Sequence, residues 1–138
     1  MKAGRPFLDT SVVLYAFHDG ELRQDRARGL IASGDGVISV QTLNEFTRVA
    51  RQKLRREWKE IRRALAAIRN SCAAVAPVTL ETHDRGLAIA EQRGYRVSDA
   101  LLLAAAIEAS CDAFYSEDMR HGQRIEGLVI LNPFRGAL

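Results

Sequence analysis

The chain has 138 residues, 47% of them hydrophobic, enough for one compact domain with its own core and too few for two ordinary ones. Its net charge of +3 is too small to define a partner class by itself. The most apolar run, Ala100 to Ala106, is far too short to cross a bilayer, and the first residues lack a long apolar leader segment. A soluble cytoplasmic protein, one domain over residues 1–138 and no membrane partner are therefore expected.

Phe7 and Leu8 lead into Asp9 as a short buried strand, after which Thr10 and Ser11 open a helix over Val12 to Phe17. His18-Asp19-Gly20 is turn-like, and Arg23 to Ala32 carries helical periodicity until Ser33-Gly34-Asp35-Gly36 stops it. Val37 to Val40 predicts a second strand. Ser39 or Thr42 can cap the next helix, whose apolar stripe is Leu43, Phe46, Val49 and Ala50, with Glu45 off the stripe near the helix start.

The helical spacing continues from Arg51 to Asn70 through Leu54, Trp58, Ile61, Leu65 and Ile68. Trp58 is expected in the core or in a dimer interface. Ala73 to Val78 is a third strand, ended by Pro77, and Thr79 to Arg93 a further helix that stops at Gly94. Ser98 is the expected cap of a helix from Asp99 through Ile107 that is apolar nearly all round and so belongs in the middle of the fold. Ala113 to Ser116 is the fourth strand, ending in Glu117-Asp118, and Leu128 to Leu131 the fifth, with Gly122 and Gly127 as turn glycines around a loop expected to lie over the site. Alternating strands and helices predict an α/β domain with a mainly parallel sheet and helices on both faces.

In such a sheet, ligands bind in the crevice beyond the carboxyl ends of the strands. Asp9 and Asp118 stand at the carboxyl ends of strands, while Glu45 and Asp99 are expected in the first turns of helices that follow a strand or loop, so all four acids can face one crevice if the sheet is doubly wound. Asp9 can equally be a plain helix cap. Two carboxylates about 4 Å apart repel by roughly 4 kcal/mol at an effective dielectric of 20, so a cluster of acids calls for a cation. Oxygen donors suit Mg²⁺ or Mn²⁺, and no Cys or His set offers a zinc site. Such a cluster suits hydrolysis of a phosphodiester by a metal-activated water, for which no side-chain nucleophile is required. None is evident: Ser11 lacks a paired His, and Cys72 and Cys111 sit among small apolar residues, reduced and buried.

The segments FLDTS, LNEF, VSDALLLAAA and YSEDM, in this order, resemble the PIN-domain nucleases, and most closely the VapC-type toxins of toxin–antitoxin pairs. The resemblance implies a PIN-like three-layer α/β/α fold with a mainly parallel, roughly five-stranded sheet. It implies a Mg²⁺-dependent endoribonuclease, with Mn²⁺ able to substitute, neutralised by a cognate VapB-like antitoxin and usually a homodimer. The catalytic set is then Asp9, Glu45, Asp99 and Asp118, with Asp9, Asp99 and Asp118 on the metal, and Ser11, Ser116 and Glu117 accessory to it.

Between Arg48 and Arg69 stand nine bases and two acids, a net +7 against −4 for the rest of the chain. Arg48, Arg51, Arg55, Lys59 and Arg62 are candidates for binding RNA phosphates or an antitoxin, with a plain solvated face as the third possibility. His121 offers a phosphate contact or proton donor, or is a plain loop histidine. Phosphotransferases of the haloacid dehalogenase type need a second Asp where Ser11 stands, and receiver domains a late Lys where none follows Lys59. The alternative that keeps the fold is a non-catalytic PIN-like module that binds RNA or protein.

Overall fold

The computed structural model describes residues 4–18 and 22–135. Its strands are β1 (Pro6–Leu8), β2 (Val37–Ser39), β3 (Ala74–Ala76), β4 (Ala113–Tyr115), β5 (Arg124–Ile125) and β6 (Leu128–Leu131). The helices are α1 (Thr10–Phe17), α2 (Leu22–Ala32), α3 (Val40–Gln52), α4 (Trp58–Ser71), α5 (Leu80–Arg93) and α6 (Val97–Glu108). The sheet order is β3-β2-β1-β4-β6-β5, parallel except for the antiparallel β5–β6 pair.

Strand alternation divides the core in two. Phe7 of β1 registers with Val37 of β2 and Phe114 of β4, its ring stacked on Phe114 with centroids 5.2 Å apart, and these face the α5–α6 side. Leu8 and Ile38 turn the other way, onto Val12, Phe46 and Ile61 of α1, α3 and α4. The apolar helix α6 buries Ala100 and every residue from Leu102 to Ala106, the central position its composition predicts. The expected three-layer α/β/α arrangement is thus present.

Four local expectations need correction. The helix expected over Arg51 to Asn70 is broken at Lys53–Glu57. Arg55 takes a left-handed φ of 55°, the Arg51 guanidinium donates to the Arg56 carbonyl at 3.0 Å, and the same guanidinium lies 4.9 Å from the Trp58 ring centre. Trp58 is therefore half exposed rather than in the core. Apolar periodicity runs through the elbow unchanged, and no Gly or Pro announces it.

The sheet has a sixth strand, too short to show alternation in sequence. Glu126 and Gly127, both at positive φ, turn β5 onto β6 as a tight hairpin. This segment sits at the sheet edge against α5, where Arg85 reaches Glu126 and Arg93 the Arg124 carbonyl, and does not roof the crevice beyond β1. The third difference is at α6, whose N-cap is Arg96 with no capping side chain, Ser98 lying one residue inside the helix. The fourth is Glu45, which falls in the second turn of α3, not the first. Ser39 caps that helix in a reciprocal box with Thr42, and Gly94 ends α5 at φ 77°, as the sequence predicts. The turn residues Asp19 and Gly20 lie outside the described residues.

Candidate metal centre

β1 has β2 on one side and β4 on the other, so the chain reverses its direction of winding there, and the crevice beyond the carboxyl ends of β1 and β4 is the expected ligand position. Asp9 lies at its floor, 6% exposed, directly after β1 and at the N-cap of α1. The cap reading of Asp9 holds, its Oδ1 accepting from the Thr10 amide at 2.8 Å, and its other oxygen faces the crevice hydroxyls: Oδ2 accepts from Ser116 at 2.7 Å and from Ser11 at 3.4 Å.

Burial pushes the Asp9 carboxyl up to about 6, against the lowering effect of the bonds from Ser116 and Thr10; the charges of Asp99 and Glu45 raise it further. Asp99 and Glu45 are thus within electrostatic reach of Asp9. Asp99 is the third residue of α6, and its Oδ2 accepts a long 3.4 Å bond from Arg96 Nε. Glu45 is held at both oxygens, Oε1 by the Thr10 hydroxyl at 2.8 Å and Oε2 by the Gln41 amide at 3.0 Å.

Asp118 is exposed and tied in through its backbone. The Ser116 oxygen accepts from the amides of Asp118 and Met119, each at 3.3 Å, while its proton goes to Asp9. Ser116 therefore joins the ends of β1 and β4 through one atom. Glu117 turns the other way: Oε1 accepts from the Tyr15 hydroxyl at 2.7 Å, and Oε2 pairs with Arg23 Nε.

Among the described residues, no three carboxylates, histidines or cysteines crowd closely enough to ring a cation. Like charges separate and turn to protein donors, as Glu45 and Asp99 do here. In chemical kind the set fits a hard divalent ion: carboxylate and hydroxyl oxygens only, with a buried acid whose charged form needs a positive partner.

Thr10, Gln41 and Arg96 join the predicted acids only in the fold, each bonded to at least one of them. The i, i+4 spacing of Gln41 and Glu45 was a usable signal, whereas the bond from Thr10 to Glu45 needs the fold. His121 accepts the Asn132 amide at Nδ1, 2.9 Å, so it fastens a loop. Of the basic candidates, Arg48 and Arg51 lie on α3, Arg55 in the elbow, and Lys59 and Arg62 on α4. Cys111 is buried and Cys72 half-buried, neither in a disulfide.

The PIN-domain family model matches residues 7–125. The chain belongs to the PIN-domain family. Among solved structures it is similar to VapC20 of Mycobacterium tuberculosis, a sarcin–ricin-loop-cleaving toxin, with 26% identity, 82% of this chain and 89% of that one covered, and a TM-score of 0.65. A toxin–antitoxin complex from Klebsiella pneumoniae shares 16% identity over 93% of this chain and 97% of that one, TM-score 0.70. VapBC2 from Rickettsia felis, bound to a fragment of its promoter DNA, shares 17% over 91% and 96%, TM-score 0.65. VapC-type toxins are thus among the PIN-domain proteins whose fold the chain shares. No curated protein matches the chain by sequence.

Proposed function

We propose that this chain is a divalent-metal-dependent endoribonuclease toxin, neutralised by a VapB-like antitoxin and acting in the cytoplasm as a homodimer. Asp9 carries the proposal: a buried carboxylate at the β1/β4 crevice, with Asp99 and Glu45 acting on its charge, while the hydroxyls beside it, Ser116 and Ser11, donate to the carboxylate and have no histidine partner among the described residues. Membership of the PIN family and likeness to toxin–antitoxin structures support the toxin role.

Asp9, Asp99 and Asp118 would hold Mg²⁺, or Mn²⁺ in its place. A bound ion of this kind supplies Lewis acidity and positive charge against the phosphate oxygens. Glu45, fixed at both oxygens, orients the attacking water and accepts its proton. Ser116 keeps Asp9 ionisable by donating to it, and Ser11 adds a weaker bond to the same oxygen. The exposed bases of α3, the elbow and α4 supply attraction to RNA phosphates. A non-catalytic binding module is the second reading, favoured by the pairing of Asp99 with Arg96.

Incubation of the purified protein with total RNA, with and without EDTA, followed by mapping of the cut ends, tests the proposal. Cleavage that EDTA abolishes, leaving 5′-phosphate and 3′-hydroxyl ends, is expected. Cyclic phosphates formed in EDTA would contradict the mechanism, and no cleavage by the parent would favour the binding module.

A further inference from the structure

Beside the acids lies a hollow of about 260 Å³ that the proposed chemistry leaves unused. Leu14 of α1, Val49 of α3 and Leu54 of the elbow form its apolar walls, and the rings of Tyr15 and His18 add flat surface. Its polar edge is Ser11, Glu117 and Asp118, so it opens directly onto the proposed metal centre. The size is just under the roughly 300–1,000 Å³ of small-molecule pockets, which suits one flat ring system.

We propose that this hollow receives an unstacked nucleobase of a single-stranded RNA, adjoining the phosphate to be cut; this rests on the ribonuclease reading above. Three observations carry it. The hollow and the acid site share Ser11 and Asp118, so a chain lying on one reaches the other without a gap. Of the two acids on its edge, Glu117 is tied to Arg23 and to the Tyr15 hydroxyl, and Asp118 belongs to the proposed metal centre. The far wall is the elbow itself, where exposed Lys53 and Arg55 flank Leu54 and have no acidic partner among the described residues.

Base and backbone are thereby sorted. Apolar and ring surfaces take the base, whose flat face is common to all four nucleotides, while the elbow cations hold the phosphate on one side, an attraction that does not depend on the metal. A base stacked and paired in a duplex cannot enter. The break in the basic helix thus acquires a role, because it carries Leu54 onto the wall of a hollow that begins at the end of β4. A protein segment would also value apolar walls, but the paired Glu117 and the cations on the rim favour a polyanion.

The test is binding in EDTA, read by fluorescence anisotropy, of a labelled ten-nucleotide single-stranded RNA, the same strand with abasic ribose throughout, and a duplex of the same sequence. The parent is expected to prefer the base-containing strand to the abasic strand at least tenfold, about 1.4 kcal/mol, and to the duplex by a similar factor. Leu54→Trp, which fills the hollow, is expected to bind both single strands at the abasic affinity with an unchanged salt dependence. If filling unfolds the chain, Val49→Ser strips one apolar wall instead and should shrink the preference at least threefold. Equal affinities in the parent, no binding of either strand, or a preference that survives both variants would overturn the proposal and leave the hollow to a protein partner. No cleavage is involved, so this failure is distinct from failure of the ribonuclease reading, which shows as parent protein without EDTA-sensitive cleavage.

Discussion

The Ser116 hydroxyl donates to Asp9 Oδ2 at 2.7 Å, across 107 positions of sequence, and accepts the amides of Asp118 and Met119 at 3.3 Å. One fully buried oxygen therefore offsets part of the rise that burial imposes on the Asp9 carboxyl and fixes the backbone at Asp118. Ser116→Ala removes the donor and leaves two amides without an acceptor, at a cost of about 1–3 kcal/mol in urea unfolding. Divalent-metal affinity is expected to fall about 10- to 100-fold, as for outer-shell partners generally, and Ser116→Thr should restore part of it.

The raised Asp9 value has a definite sign for stability. Its folded value of about 6 lies above the ordinary 3.8, so between these limits the folded chain binds the proton more tightly than the unfolded one. In EDTA, stability should fall as pH rises from about 4 to about 6 and then level off, by on the order of 3 kcal/mol. Asp9→Asn should remove this slope and raise stability at pH 7.5. Unfolding midpoints across that range, for both proteins, check it.

Thr10 is a positioning residue for Glu45, to which it donates at 2.8 Å. Thr10→Val is expected to slow RNA cleavage about tenfold or more while metal affinity changes little, and Thr10→Ser to rescue the rate. A parallel loss of metal affinity would show that Thr10 supports the centre as a whole.

The elbow cations act through charge. Reversal by Arg55→Glu should weaken RNA binding and flatten its dependence on salt concentration, the logarithmic slope falling by about one for each phosphate that the side chain no longer neutralises. An unchanged slope would return Arg55 to the solvated surface.

The sheet and most helices were legible because two periods write them into the sequence. Phe7 and Leu8 alternate between faces of β1, and the apolar run of α6 has nowhere to go but the interior. The elbow was not legible, because its turn uses a non-glycine φ at Arg55 and is held by Arg51, a residue that also suits a continuous helix. At the site, the residue types at strand ends pointed to Asp9, and the order of segments pointed to Glu45, Asp99 and Asp118. What sequence order does not carry is the set of partners: that Ser116 reaches Asp9, that Glu117 belongs to Tyr15 and Arg23, and that Thr10 braces Glu45.

The most direct measurement is calorimetric titration of Mn²⁺ into the metal-free protein near pH 6. The parent should bind with release of a proton from Asp9, and Asp9→Asn, Asp99→Asn and Asp118→Asn should each bind at least about tenfold more weakly. A parent that takes up no Mn²⁺, or an Asp99→Asn variant that binds as the parent does, would contradict the convergence of these acids on one ion.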